Sequence, residues 1–399
     1  MKINPKKLVV LITVFIDIAG LGIIIPVLPF FVKGFGASDM TVTLLFAVYS
    51  FFALFSAPFL GSLSDKIGRR PVLIASLASS SIGWLVFAAA GNIWMLFLGR
   101  IIDGLAAGNI STAQSYLIDL SETPKERTAN LGLIGMIFGL GFIIGPLLGG
   151  LLGTVDHTLP FYAVGIMAGI NTLLAYKFLP ETLKEKSKNK ISLNPLRPII
   201  TGLTMRALRP SLLAFLLFGT ALAIQQSVFA LYLDKGYGWD EFHSGLIFAV
   251  MGVALAINQG VLVRKFWIKK FHEPDLEQYL FIGLAAGFAA LGFINPAMLI
   301  VGLLLTTFSQ SVLRVVMISQ MAGVDIKKQG EILGISNSVM SLSMIVGPLL
   351  AGPLFSLNIT APYWTAAALA VGAFIVITAK RKMLAKITIS SETEIVIPQ

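Results

Sequence analysis

Cysteine is absent from the 399 residues, and only three histidines occur. The first absence excludes disulfides and thiolate metal sites; His157, His243 and His272 are too scattered to form a ligand set. No metal or cofactor is expected. Charge is also scarce, at 13% of residues against 56% hydrophobic, where a soluble domain of this length would carry about 25%. No hydrophilic block is large enough for a separate soluble domain, and no catalytic triad or nucleotide loop is present, so an enzyme is not expected. The formal charge of +10 would suggest a nucleic-acid partner in a soluble protein. Here it has a plainer cause, because Lys and Arg collect in cytoplasmic loops.

What remains is apolar runs. Each helical crossing needs about 20 apolar residues, so twelve crossings fit the length with little to spare. Backbone polar groups must be paired within hydrocarbon, and the alternation of a barrel is missing, so the spans are expected to be helices. Met1 to Lys7 is basic, and the apolar run after it passes the usual signal length without a small-residue cleavage site; it reads as a retained first span. Spans are expected at about Leu8 to Val32, Thr41 to Leu60, Pro71 to Ala90 and Ile93 to Leu117. A fifth holds the Gly139 to Gly150 run, and a sixth covers Phe161 to Tyr176. The second set falls at about 210–233, 243–263, 279–294, 297–321, 331–353 and 362–379. The expected organisation is a six-helix half over 1–182, a cytoplasmic linker over 183–209, a second half over 210–379 and a disordered tail over 380–399.

Two patterns support this division. With the amino terminus inside, only Lys33 and Lys235 of the 30 Lys and Arg fall outside and only Arg100 and Arg314 within spans. That skew puts both termini in the cytoplasm of a plasma-membrane protein. Gly132, Gly145, Pro146, Leu147, Leu148 and Gly150 also recur as Gly334, Gly347, Pro348, Leu349, Leu350 and Gly352, about half a chain later. Parallel halves of this kind put a binding site near the membrane midplane.

The stretch from Gly61 to Arg70 carries the most specific motif. It reads as a charged turn joining spans two and three on the same side. Its pattern, Gly61, Asp65, Gly68, Arg69 and Arg70, resembles the signature loop of the major facilitator superfamily. Further residues narrow the resemblance to the twelve-span drug:proton antiporters, near tetracycline and multidrug efflux pumps. These are the Asp17 to Pro29 run, Arg100-x-x-x-Gly104, the run Gly141, Gly145, Pro146, Gly149, Gly150 that marks antiporters, and Pro180-Glu181-Thr182. The resemblance implies an all-α membrane fold of two pseudo-symmetric six-helix halves.

Roles follow from chemistry and from that resemblance. Asp65 can face helix-terminal amides across the seam between halves, and Arg69 and Arg70 can pair with Asp119, making a conformational latch; the plainer reading is a loop anchored to headgroups. A mid-span acid is a functional hypothesis by default. Asp17 has no sequence-local partner and is the first candidate proton carrier, unless it is permanently bonded to a neighbouring span. Asp103 lies three residues from Arg100, on the same helical face, and either carries protons or simply neutralises it. By resemblance, Arg100 couples proton and substrate. The ninth span, read as about Tyr279 to Ile294, has no acid, so coupling must rest on the first half. The second half offers Gln225, Gln226, Asn258, Gln259 and Gln310 as cavity candidates, although span amides more often tie helices together. Arg314 is a mid-span cation that needs a partner: Asp17, a carbonyl end or an anionic group on a substrate.

The expected function is proton-coupled export of small amphipathic organic compounds by a monomer in the lipid bilayer, with the proton as coupling ion. The competing readings are an importer or passive facilitator of a polar nutrient on the same fold, and a non-transporting receptor or scaffold.

Overall fold

The computed structural model of the chain describes residues 5–183, 186, 194–325 and 328–394. Nearly all of them are helical, and no strand occurs among them. The first helices are α1 (Pro5–Lys33), α2 (Asp39–Ile67), α3 (Arg69–Ala88), α4 (Ile93–Leu105), α5 (Asn109–Asp119), α6 (Pro124–Gly153) and α7 (Leu159–Phe178). They continue as α8 (Arg197–Thr204), α9 (Arg209–Tyr237), α10 (Glu241–Ile257), a π-helical stretch Asn258–Trp267 and a short α11 (Ile268–Lys270). The last four are α12 (Glu273–Leu291), α13 (Pro296–Ala322), α14 (Gln329–Leu357) and α15 (Ala361–Glu394).

Eleven helical stretches among the described residues are long and apolar enough to cross a membrane, with α4 and α5 together making one. The remaining long helix, α12, falls short of that measure because Glu273, Asp275 and Glu277 lower the hydropathy of its first turns. It packs along α13 and α15 with Leu280, Phe281, Leu284 and Phe288 buried. Polar caps start several helices. Asn92 Oδ1 accepts the Met95 N–H at 3.0 Å to open α4 after a four-residue connection, and Asn295 Oδ1 accepts from Ala297 and Met298 to open α13. Each satisfies amides that a helix start leaves without a partner.

Several expected boundaries move. The signature stretch is not a turn of ten residues: α2 runs through Asp65 to Ile67, and only Gly68 separates it from α3. The fourth span is broken at 106–108 into α4 and α5. The ninth begins before the expected Tyr279, because its acidic first turns are helical. The expected linker contains α8, with 184, 185 and 187–193 outside the described residues, and the expected disordered tail is helical through Glu394.

The chain forms two compact units. The first comprises 1–195, 225–256 and 344–359; the second comprises 196–224, 257–343 and 360–399. The packing boundary therefore passes through α9 and α14 and falls at the end of α10, whereas the sequence boundary follows the loop between halves. Within the first unit, α6 lies along α1. A Cβ at Gly145 would stand 2.6 Å from the Ala19 carbonyl oxygen, one at Gly149 2.8 Å from that of Ile23, and one at Gly141 2.6 Å from Ile18 Cγ2. Gly150 instead packs against the start of α10, its Cβ position 2.8 Å from the Glu241 carbonyl. The run around Pro146 thus provides close approach to two different helices, as small residues do in membranes.

Candidate functional site

The first unit holds a polar cluster amid apolar helices. Gly83 of α3 and Gly99 of α4 bring those helices together, a Cβ on Gly83 falling 2.8 Å from the Asp103 amide nitrogen. That approach delivers Asp103 to α3, where its Oδ1 accepts from Ser80 Oγ at 2.8 Å. Its Oδ2 lies 3.3 Å from Arg100 Nη1. Arg100 is 1% exposed, so its charge has to be compensated inside the protein. Asp103 supplies the counter-charge, and the faces of Tyr49 at 4.4 Å and Trp84 at 5.3 Å cover the guanidinium, a cation–π arrangement.

Asp17 of α1 stands apart from this pair. It is half-buried, makes no ion pair among the described residues, and accepts one hydrogen bond, from Asn109 Nδ2 at 3.3 Å. Asn109 is the first residue of α5 and is buried because the break at 106–108 restarts the helix there. Asp17, Tyr49, Ser80, Trp84, Asp103 and Asn109 line one cavity of about 30 Å³. Such a space takes about one water molecule. It suits a proton and excludes a drug-sized ligand.

A second network joins α2, α3, α5 and the segment after α7. Arg69 pairs with Asp65 four residues earlier and with Asp119 Oδ2 at 3.2 Å, and Nη1 donates to Ser64 Oγ at 2.7 Å. Arg70 does not reach Asp119: Nη2 donates to the Tyr176 carbonyl at 2.7 Å, with the guanidinium over the Tyr176 ring. Nor is Asp65 the carboxylate at helix-terminal amides. Glu181 holds that place, accepting the Arg69 N–H at 2.9 Å and the Arg70 N–H at 3.2 Å. Burial raises the Glu181 pKa, but its bonds from Leu183, Arg69, Arg70 and Thr182 N–H outweigh this and hold it below the usual carboxylate range. Gly68 makes the geometry possible. Its φ is +126°, and a Cβ there would strike the Glu181 carboxylate. Gly61 is different: it lies inside α2 with its nearest neighbour, Ser111 Oγ, at 4.0 Å.

Sequence reasoning missed a third set in the first unit. Lys33 at the end of α1 pairs with Asp234 of α9, Lys235 pairs with Asp39 at the start of α2, and His157 Nδ1 lies 2.8 Å from Glu241 Oε1. In the sequence Lys33 and Lys235 stand out only as the two cations on the sparsely charged side. Their partners lie about 200 residues away and leave no local signal.

The second-half candidates divide. Asn258 is fully buried, donating to Ser311 Oγ at 2.5 Å and to the Phe308 carbonyl at 3.1 Å and accepting from Trp267 Nε1 at 2.8 Å. It ties the π-helical stretch to α13. Gln259 Nε2 donates to the Ser311 carbonyl at 3.3 Å. Gln225, in the first unit, is 5% exposed with its amide nitrogen unpartnered, and Gln226 beside it is half-buried. Gln310 is half-buried; Arg314 is exposed and makes no hydrogen bond or ion pair with the described residues. The acid-free ninth span needs correction, since Glu277 in the first turns of α12 is 3% exposed. Its neighbours include Lys380 and Arg381, and Arg381 also pairs with Asp275 at 2.7 Å.

Helices long and apolar enough to cross a membrane, with charges buried among them, define a polytopic membrane protein. The profile of the Major Facilitator Superfamily matches residues 10–272, and the chain belongs to that family. It is 29% identical over 385 residues to the class C tetracycline resistance protein of Escherichia coli, covering 94% of this chain and 95% of that protein. It is 24% identical over 385 residues to the quinolone resistance protein NorA of Staphylococcus aureus (strain COL), covering 96% and 98%. Among solved structures, the nucleoside transporter NupG superposes with a TM-score of 0.75 at 15% identity, covering 96% of this chain and 99% of NupG.

Proposed function

We propose that the protein exports small amphipathic organic compounds in exchange for protons, by alternating access, as a monomer in the plasma membrane with both termini cytoplasmic. The observation that carries this reading is the Asp17 carboxylate, held by a single asparagine bond beside an Arg100–Asp103 pair around a one-water cavity. An acid so placed changes its proton affinity when conformation alters its access to water and its distance from the cation. Asp17 binds and releases the proton. Asp103 and Ser80 hold Arg100, which passes the change of charge to the helices that carry it. The similarity to tetracycline and quinolone resistance proteins supports an amphipathic substrate. Arg69, Asp65, Asp119 and Glu181 latch one end of the first unit, while the Lys33, Lys235 and Glu241 pairs clasp the other; transport requires that these ties make and break in turn. The α6 glycines allow α1 to rock against α6 without side chains intervening.

The test is proton movement in vesicles containing the purified protein, with tetracycline and a panel of lipophilic cations under an imposed pH gradient. Substrate addition is expected to release trapped protons, and Asp17→Asn to abolish release while leaving the melting temperature within a few degrees. Equilibration of a sugar or amino acid without proton movement would replace export with facilitated uptake.

A further inference from the structure

The short helix α8 (Arg197–Thr204) lies outside the spans and takes no part in the sites described above. One side of it is fixed to the second unit. Gly202 is buried, and a Cβ there would stand 2.7 Å from Ile335 Cγ2 of α14 and 2.8 Å from Leu212 Cδ1 of α9. Arg209 Nε donates to the Leu203 carbonyl at 2.6 Å, satisfying one of the acceptors that a helix end leaves open. Helix α8 is thereby held against the first turn of α9.

The depth of that contact follows from length. Helices α9 and α14 each have 29 residues, about 43 Å of helix against about 30 Å of hydrocarbon. About one turn of each therefore stands among the headgroups at either end. Leu212 is three residues into α9 and Ile335 six into α14, so α8 lies at the boundary between headgroups and acyl chains.

The other side of α8 is apolar and open. Ile200 is 56% exposed and Leu203 51%, with Leu196 a turn before them on the same side. That spacing makes one stripe along the helix. Arg197 and Thr204, both exposed, occupy the adjoining arc, and Arg206 is exposed just beyond the helix end. Between 184 and 209 the chain carries seven Lys and Arg against a single acid, Glu185. No acid follows in α8 or in the turn to α9.

We infer that α8 is a docking surface for anionic phospholipid: its apolar stripe enters the acyl boundary, and Arg197 and Arg206 meet the phosphate groups beside it. A helix lying in the membrane plane combines buried apolar area with attraction to anionic headgroups, and a run of about four to eight basic residues next to a span supplies that attraction. Facing water instead, Ile200 and Leu203 would stay solvated with nothing gained. The surface does not depend on the direction or the coupling of transport.

The lack of cysteine gives the test a clean background. A nitroxide is attached at Ile200→Cys, and separately at Leu203→Cys, in the full chain reconstituted into vesicles. One set of vesicles is phosphatidylcholine; the other is equal parts phosphatidylcholine and phosphatidylglycerol. Access of each label to oxygen, which concentrates in hydrocarbon, is compared with access to a neutral nickel chelate, which stays in water. In the mixed vesicles both labels are expected in the oxygen-rich phase. In phosphatidylcholine alone, chelate access is expected to be about fivefold or more higher, the scale of one basic residue near an anionic surface. Arg197→Gln combined with Arg206→Gln is expected to make the mixed vesicles behave as phosphatidylcholine does. High chelate access in both vesicles overturns the assignment. So does equal immersion in both, which is apolar contact without headgroup recognition. Shielding from oxygen and chelate together places protein over the stripe and overturns it as well. All three are read without the arginine variant, and an undiminished response to phosphatidylglycerol in that variant removes the arginines from the surface.

Discussion

Gly61 and Gly68 belong to one motif, yet the structure assigns them opposite tolerance. Gly68 combines a left-handed φ with a Cβ position inside the Glu181 carboxylate. Gly68→Ala is expected to cost about 1–3 kcal/mol, read as a lower melting temperature in detergent together with slower transport. Gly61 has open space around it in a helix interior, so Gly61→Ala is expected to leave the melting temperature unchanged or raise it, by the propensity gain of about 0.5–1 kcal/mol. A loss at Gly61 as large as at Gly68 would mean that the site is set by something other than the α2–α3 junction. The same junction has a pH dependence. Because the Glu181 pKa is depressed in the fold, its contribution is complete above the unfolded carboxylate pKa, about 4.3, and is lost as pH falls through the lower folded value. The melting-temperature gap between wild type and Glu181→Ala should hold from neutral pH to about pH 5 and narrow below about pH 4. A gap that widened with acid would exclude Glu181 as the ionised cap.

At the scale of helices, α6 against α1 is the clearest case of sequence dictating packing. Gly145→Ala would push a methyl into the Ala19 carbonyl and to 3.0 Å from Gly22 Cα, both backbone groups that cannot step aside. An overpacking cost of about 1–3 kcal/mol is expected. Gly139→Ala, whose nearest neighbour is Ala256 Cβ at 4.0 Å, serves as the tolerated control in the same unfolding assay. The glycine spacing was legible in the sequence because close helix approach needs small residues at fixed intervals. So were the spans, since length and hydropathy are local properties. The break between α4 and α5 was less so: Gly104 precedes it and Gly108 ends it, but glycines are common in spans that do not break. Without the break, Asn109 would not have been placed beside Asp17. Glu181 was visible only as part of a short motif, because its partners are backbone amides that no sequence pattern advertises. Glu277 escaped because acidic first turns look like loop until burial against α13 and α15 shows them to be helix.

Across the molecule, the ties at Lys33–Asp234, Lys235–Asp39 and His157–Glu241 all lie within the first unit and join residues from both halves of the sequence. Their strength can be bounded. Lys33 is 46% exposed and Lys235 39%, and exposed pairs contribute about 0.2–1 kcal/mol each. One broken pair therefore changes the balance of states by no more than about fivefold, and the clasp biases the transporter without locking it. The absence of cysteine makes this measurable, since Ala230→Cys introduces the chain's sole thiol at a position 3% exposed on α9, one turn before Asp234. In that background Asp234→Asn is expected to raise the rate of modification by a small polar maleimide about twofold to fivefold. Adding Lys235→Gln should multiply the effect, and exchanging the charges as Lys33→Asp with Asp234→Lys should return the rate toward its starting value. High salt should mimic the single substitution in part, because screening weakens exposed pairs more than buried packing. If the exchanged pair labels as fast as the single variant, the clasp does not act through charge, and the α6 glycine packing against α10 must hold that face closed by itself.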